Sequence, residues 1–210
     1  VLFLRPDSAA RTPDFFVPDC LHNHGNYVIS LEDVTKWLAQ QAEGLGVEIF
    51  PGFSAAEVLY TDSGAVRGVA TGNLGLGKDG EPHDGFQLGM ELLGKYTLFA
   101  EGARGSLSKQ LIAKFSLDAN SEPSKFGIGL KEVWEIDPAK HQKGLVQHAV
   151  GWPLKNNTGG GLFFYHYGEN LVSIGFVVHL NYDDPYLSPF DEFQRVKTHP
   201  VVRETLEGGK

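Results

Sequence analysis

The clearest hydrophobic pattern in the chain is an apolar stripe at helical spacing within residues 31–45. Ser30 and Asp33 frame its start as a capping box, in which the serine side chain accepts a hydrogen bond from the backbone N–H three residues later. Gly46 follows at the position where helices commonly end in a left-handed conformation. The pattern predicts a helix over residues 31–45, and these residues form its stripe: Leu31, Val34, Leu38, Ala42 and Leu45.

Short extended runs predict strands on both sides of this helix. Residues 55–60 and 66–71 flank the turn sequence TDSGA, which is typical of a hairpin loop. Residues 47–50 predict a short strand that, with residues 26–29, completes part of a β-α-β unit. Residues 86–93 and 95–100 predict two further strands, the second of them buried and leading into a glycine turn and a helix over residues 107–115.

The second half of the chain has a different pattern, rich in β-branched and aromatic residues. Residues 126–134, 146–151, 161–167 and 171–178 predict strands separated by turns. Ser188, Pro189 and Asp191 predict the start of a helix that ends before Pro200. We therefore expect an α+β protein, an α/β part followed by a mixed β-sheet domain with helices, divided near residue 120.

The composition of the chain excludes some classes of function and some kinds of site. The chain has 18 Lys and Arg against 26 Asp and Glu, a net charge of −8, which disfavours a nucleic-acid partner because such a partner requires a basic face. The single cysteine, Cys20, excludes a disulfide framework and a four-cysteine iron–sulfur cluster within this chain. The chain starts in an apolar run without a methionine, and we expect an internal piece of a longer protein.

The turn from Phe99 to Ser106 is the first candidate site. A free helix N-terminus suits a pyrophosphate because its N–H groups are unpaired and its dipole is positive. Glu101 could accept hydrogen bonds from a ribose or ribityl hydroxyl, while Gly102 and Gly105 would let a ligand approach the backbone. The alternative is a plain strand-to-helix turn, since the full dinucleotide-binding glycine fingerprint is absent.

The second candidate is the glycine run Gly159, Gly160 and Gly161, which precedes an aromatic strand. Uncovered backbone N–H groups beside apolar walls would suit a flat, apolar ligand that carries carbonyl oxygens. The alternative is a flexible hairpin turn.

Two further segments have competing interpretations. Phe15, Phe16 and Val17 lie in a proline-rich loop, and they either pack in a core or dip into a bilayer surface. His22 and His24 could form a metal pair, but no third ligand is evident, so we expect hydrogen-bonding histidines and no metal site.

Taken together, these segments resemble the electron transfer flavoprotein–ubiquinone oxidoreductase family. The similarity runs in order from about residue 23 to the end of the chain. It is carried by these stretches: HGNY at 24–27, QAEGLGVE at 41–48, PGFSAAEVL at 51–59, FAEG at 99–102, GIGLKEVW at 127–134, VGWPL at 150–154, PYLSPF at 185–190, EFQR at 192–195 and TLEGGK at 205–210.

The resemblance implies the fold of FAD-dependent reductases and hydroxylases, with residues 1–120 as part of the FAD-binding domain and residues 121–210 as part of the ubiquinone-binding domain. It implies one FAD and one 4Fe-4S cluster, whose ligands lie outside this chain. Reduced electron transfer flavoprotein would be the electron donor and ubiquinone the acceptor. The enzyme would lie on a membrane surface, peripheral on the bacterial or mitochondrial inner membrane.

The resemblance also assigns residues. The family's two glycines at the quinone head group correspond to Gly160 and Gly161, and Gly159 stands where the family has a tyrosine. The FAD contacts would come from the segment that contains Glu101, Gly102, Ala103 and Gly105. No residue of this chain is expected to act as a catalytic acid or base, because the flavin and the cluster supply the redox chemistry.

Two other functions fit parts of the sequence. One is a related FAD-dependent reductase or monooxygenase with another substrate, and the other is a binding module for an apolar ligand with no activity. The glycine run and the GWPL sequence before it favour the quinone enzyme. We expect this piece alone to lack activity.

Overall fold

The computed structural model describes residues 1–22, 24–155 and 157–210, and within these ranges the chain forms eleven strands and four α-helices. The strands are β1 (Leu2–Leu4), β2 (Ala9–Arg11), β3 (Ala55–Tyr60), β4 (Val66–Thr71), β5 (Leu74–Leu76), β6 (Pro82–Gln87), β7 (Glu91–Leu93), β8 (Gly127–Glu135), β9 (Val146–Gly151), β10 (Gly160–Tyr167) and β11 (Leu171–His179). The helices are α1 (Leu31–Gly44), α2 (Ser106–Phe115), α3 (Pro189–Lys197) and α4 (Pro200–Leu206). The expected mixture of helices and several sheets is confirmed.

The chain divides into two units, Val1–Gln41 with Ser124–Lys210, and Ala42–Pro123. One end of the second unit falls close to the boundary predicted near residue 120. The first 41 residues join the C-terminal segment in one unit. The physical reason is that β1 pairs in parallel with β9, with Phe3 opposite Val150. The assignment of either unit to FAD or to a quinone stays a prediction.

The first unit is built on a six-stranded sheet in the order β2-β1-β9-β10-β11-β8. All neighbouring pairs are antiparallel except β1 and β9. Helices α3 and α4 contribute to the core that covers one face, where Phe176 and Phe193 stack with ring planes 3° apart. Each strand of an antiparallel sheet places alternate residues on opposite faces, so only every second residue of β10 and β11 enters this core.

Local capping fixes the starts of α3 and α4. The Ser188 hydroxyl accepts from the Asp191 N–H at 3.3 Å, and Pro189 occupies the first helical position, as predicted. The sequence analysis ended this helix before Pro200 but did not predict α4, which Pro200 itself begins. His199 caps α4 by accepting from the Val201 N–H at 3.3 Å.

The second unit contains a three-stranded sheet in the order β3-β4-β7, the β5-β6 hairpin and helix α2. Val58, Leu107 and Leu111 form its small core, with Phe99 packed against them. Strands β3 and β4 have the bounds that the sequence predicts, because the TDSGA turn between them fixes a hairpin locally.

Three predicted strands are absent. No strand forms at residues 26–29, 47–50 or 95–100. An apolar run becomes a strand only where a second strand supplies partners for its backbone groups. Most of the side chains in these segments are exposed, with 52% of Val47 and 93% of Leu98 accessible to solvent, although Phe99 packs against the core of the second unit. The single strand predicted over residues 86–93 is also wrong, because β6 ends at Gln87 and β7 starts at Glu91. Among the described residues, no helix has the length and apolar character needed to cross a membrane.

Candidate functional site

The glycine run at the start of β10 does not share one face of the sheet. Gly161 lies opposite Val177, and Gly160 lies opposite the buried Val178. Because successive residues of a strand alternate between faces, Gly159 and Gly161 belong to the face away from the helical core, and Gly160 belongs to the core face. The missing side chain of Gly160 leaves room for Leu154, whose Cδ1 atom lies 2.8 Å from the place that a Cβ would occupy.

Some backbone groups of the glycine run are hydrogen-bonded within the sheet. The His179 N–H donates to the Gly159 carbonyl at 2.9 Å, and in an antiparallel ladder every second residue pair is hydrogen-bonded. The next such pair is Gly161 with Val177, so the Gly161 N–H is turned toward β11. This corrects the expectation that the run leaves this N–H uncovered. On the other side, the register with β9 stops at Leu162 opposite Ala149, so the glycines lie beyond its last pair.

Two of the three glycines, Gly160 and Gly161, are required by close backbone packing. A Cβ at Gly160 would lie 2.1 Å from the Val177 carbonyl oxygen, and Gly160 has a φ of +148°. A Cβ at Gly161 would lie 2.6 Å from the Ala149 carbonyl oxygen. Since backbone atoms cannot give way, a side chain at either position would disturb the sheet itself, and glycine substitutions cannot test ligand binding separately from folding.

The face of the sheet away from α3 and α4 has a distinct surface, which we call the open face. We define it by Gly161, Phe163 and Tyr165 of β10 and by His148 and Val150 of β9. The Phe163 and Tyr165 rings stack 5.0 Å apart, and the His148 ring meets Tyr165 edge-on at 5.7 Å. A strip of flat rings beside a glycine backbone suits a flat, apolar ligand.

The aromatic residues and the histidine of the open face are not among the residues predicted from the sequence. The signal was present in the sequence GGLFFYHY, where every second residue shares a face. Phe163 lies opposite His148 in the β9–β10 register, a pairing between distant segments that composition alone does not show.

The Glu101 turn has a geometry other than the one predicted for a pyrophosphate. The Glu101 carboxylate accepts from the backbone N–H groups of Leu107 at 3.3 Å and Ser108 at 2.7 Å, and from the Ser108 hydroxyl at 2.6 Å. The carboxylate therefore occupies the N-terminus of α2, where an anion is favourable. Bonds from the Ser108 hydroxyl and backbone lower the pKa of Glu101, which keeps this exposed carboxylate ionised.

The two glycines of this turn differ in their surroundings. A Cβ at Gly105 would lie 2.4 Å from the Glu101 Cβ, so the missing side chain makes room for Glu101 rather than for a ligand. Gly102 has a φ of +76° and no atom within 4 Å of the corresponding position, so its backbone can be approached. Ala103 lies in the exposed turn between them.

The aromatic loop of the first unit is exposed, which excludes core packing within this chain. Phe15 is 81% and Phe16 is 70% accessible to solvent, and their rings lie 4.4 Å apart. Val17 beside them is half-buried. Of the two nearby histidines, His22 makes a hydrogen bond of 3.1 Å with the Val17 carbonyl. Asn23 and Asn156 lie outside the described residues, and no cluster suited to a metal ion occurs in the ranges that are described.

A mixed sheet with helices on one face and a glycine-aromatic surface on the other defines an α+β unit with one open face. Residues 126–210 match the family model described as ETF-QO, ubiquinone-binding. The chain is 56% identical over 205 residues to the electron transfer flavoprotein-ubiquinone oxidoreductase of Pseudomonas aeruginosa, which is 97% of this chain and 37% of that protein. It is 55% identical over 192 residues to the mitochondrial protein of the same name from Bos taurus, covering 90% of this chain and 31% of the relative.

The mitochondrial relative from Dictyostelium discoideum is 52% identical over 207 residues, 99% of this chain and 34% of its own length. The resemblance of this chain to the electron transfer flavoprotein–ubiquinone oxidoreductase family, found in the sequence, is thus confirmed. The chain spans about a third of the length of these relatives.

Proposed function

We propose that the protein containing this chain is an oxidoreductase that passes electrons from reduced electron transfer flavoprotein, through FAD and a 4Fe-4S cluster, to ubiquinone. The observation that carries this proposal is the match of residues 126–210 to a ubiquinone-binding domain, joined to the open face found within those residues. The single cysteine of the chain requires that ligands of the cluster lie outside it.

The quinone ring would lie against the open face at Gly161, in contact with Val150 and with the main chain of the run Gly159, Gly160 and Gly161. Glycine brings the ring close to the main chain, and the neighbouring aromatic side chains exclude water from it. A dry surface strengthens any hydrogen bond to a quinone oxygen that gains negative charge on reduction.

The FAD would be held in part by Glu101, Gly102, Ala103 and Gly105, and when bound it would supply the electrons for the quinone. A carboxylate that is ionised and fixed by the N-terminus of α2 fits a hydroxyl group of the cofactor, because it can accept further hydrogen bonds on its exposed side. It does not fit a pyrophosphate, since the N–H groups of α2 that would bind one already bind Glu101.

Val150→Phe in the full-length enzyme tests the quinone site without disturbing a glycine. The Val150 Cγ1 atom lies 3.4 Å from the position of a Cβ on Gly161, and the side chain is 43% exposed. We expect the larger ring to lower quinone reduction at least about tenfold by filling the site, while reduction of the enzyme by electron transfer flavoprotein is unchanged.

Ile128→Phe is the matched control, because Ile128 is 40% exposed and lies opposite Val178 on the other face of the same sheet. It should leave both half-reactions intact. Equal losses in the two half-reactions of the Val150 variant, or no loss in either, would contradict the assignment of the open face to the quinone.

A further inference from the structure

His179 of β11 is the histidine nearest the glycine run, because its Nδ1 atom lies 2.3 Å from the position of a Cβ on Gly159. Among the residues that define the open face, the ionisable side chain nearest the run is that of His148. It lies directly opposite Phe163 in the β9–β10 register, and Phe163 is two residues along β10 from Gly161. Two residues of a strand span about 7 Å, so an imidazole at this position reaches a ring bound against Gly161. The other ionisable side chain in this group, Tyr165, lies two residues further along the strand.

His148 also lies on the wall of a cleft, and this sets it apart from the rest of the open face. The cleft has a volume of about 460 Å³ and runs between the N-terminal segment and the start of β9. Five polar or ionisable side chains share its wall with His148: Arg11, Asp14, His22, His24 and Asn26. One imidazole therefore connects an apolar surface with a polar cleft that can hold water.

The reduction of a quinone requires such a connection. A quinone becomes a quinol by taking two electrons and two protons, and the apolar rings of the open face supply no protons. Burial raises the pKa of Tyr165 above its usual value of 10.0, so its hydroxyl does not release a proton at neutral pH. Burial lowers the pKa of His148 below its usual value of 6.5, which makes its protonated form a stronger acid.

We propose that His148 is the catalytic residue that carries a proton from the polar cleft to the quinone oxygen. This inference rests on the proposed function. The quinone would take two electrons from the flavin when bound; one imidazolium N–H bond breaks, its electron pair stays on the ring nitrogen, and an O–H bond forms on the quinone oxygen. The second proton, and the one that protonates His148 again, come from solvent through the cleft. Of the charged groups named above, Arg11, Asp14, His22 and His24 face this exchange from the N-terminal segment.

The test is His148→Gln in the full-length holoenzyme, assayed with two acceptors. Ubiquinone-1 needs protons for its reduction, whereas ferricyanide takes electrons alone. Because general acid catalysis contributes about 100-fold or more, we expect kcat with ubiquinone-1 to fall by about that factor, with KM and the ferricyanide rate nearly unchanged. In the wild-type enzyme, deuterium oxide should slow the reduction of ubiquinone-1 and leave the reduction of ferricyanide unaffected.

His83→Gln is the control, because His83 is an exposed histidine of β6 in the other unit and should leave all rates intact. Wild-type kcat with ubiquinone-1 in the His148 variant, or equal losses with both acceptors, would overturn the proposal. The absence of a solvent isotope effect on ubiquinone-1 reduction by the wild-type enzyme would also overturn the proposal. This measurement does not depend on whether the His148 variant folds. A wild-type enzyme that reduces ferricyanide but not ubiquinone-1 would instead overturn the proposed function, and this inference with it.

Discussion

The surroundings of single side chains decide which groups in this protein can change charge. His166 is 1% exposed, its Nδ1 accepts from the Gln142 N–H at 3.1 Å, and its ring lies 5.3 Å from that of His141. Burial first, and then the charge of His141, lower the pKa of His166 to about 4. The imidazole therefore stays neutral in the folded protein at a pH where the unfolded chain already protonates it.

We predict that His166 makes the full-length protein lose stability as the pH falls from about 6.5 to about 4. In this window the unfolded state binds a proton that the folded state does not, and the loss reaches on the order of 3 kcal/mol at the acid end. His166→Asn keeps an acceptor for the Gln142 N–H and cannot titrate, so it should flatten this dependence. Urea unfolding across this pH range measures both slopes, and an unchanged slope in the variant would refute the assignment.

At the scale of elements, β10 and β11 fit together because a glycine faces an aromatic ring. Gly175 lies opposite Phe163, and a Cβ at Gly175 would lie 2.1 Å from the Phe163 Cζ atom. The ring therefore lies across the neighbouring strand, where it also stacks on Tyr165. The aromatic part of the open face depends on this one missing side chain.

Gly175→Ala should displace the Phe163 ring and lower the free energy of unfolding by about 1–3 kcal/mol, the usual cost of adding atoms to a packed site. Phe163→Leu in the same chain should recover part of this loss, because the shorter side chain leaves room for the new methyl group. Gly129→Ala is the control, since a Cβ there meets its nearest atom at an ordinary 3.7 Å. Urea titration measures all three, and equal losses at Gly129 and Gly175 would contradict the packing argument.

Helices and strands that are fixed by contacts between residues close in sequence could be predicted. Strands that depend on pairing with a segment far away in the sequence could not. The Ser30 Oγ atom accepts from the Asp33 N–H at 3.4 Å at the start of α1. Gly46 has the left-handed φ of +86° that is expected after the helix. The run at residues 47–50 has the composition of a strand but no partner strand in the described residues, so it is not one. Strand β1 joins β9 across about 150 residues of chain, and no local pattern indicates that pairing.

The candidate site follows the same division. The glycine run and the Glu101 turn could be found by composition, but their geometry could not. Alternation separates Gly160 from its two neighbours, and Glu101 turns back onto α2 because the absence of a side chain at Gly105 leaves it room. The place of His148 depends on a register between two strands that only the folded sheet shows.

For the whole molecule, the proposed function would bring an acidic chain to a lipid-soluble quinone. The net charge of −8 gives no general attraction to an anionic membrane, so binding would have to come from apolar contact. Phe15 and Phe16 are the adjacent pair of large exposed aromatic rings in the N-terminal segment, on the short turn Asp14–Phe16. We expect this turn, with Val17, to insert into the bilayer surface of the full-length enzyme.

The variant Phe15→Glu with Phe16→Glu should lower the partition of the full-length enzyme into phosphatidylcholine vesicles by at least about tenfold. Burying one phenylalanine in an apolar phase is worth about 1.5–3 kcal/mol, and each glutamate adds a cost of its own. Vesicle sedimentation measures the bound fraction, and ferricyanide reduction shows that the enzyme stays intact. Tyr186→Glu is the control, because Tyr186 is 94% exposed in the same unit and lies outside this turn. Equal release by the control, or unchanged partition of the double variant, would show that the turn does not touch the membrane.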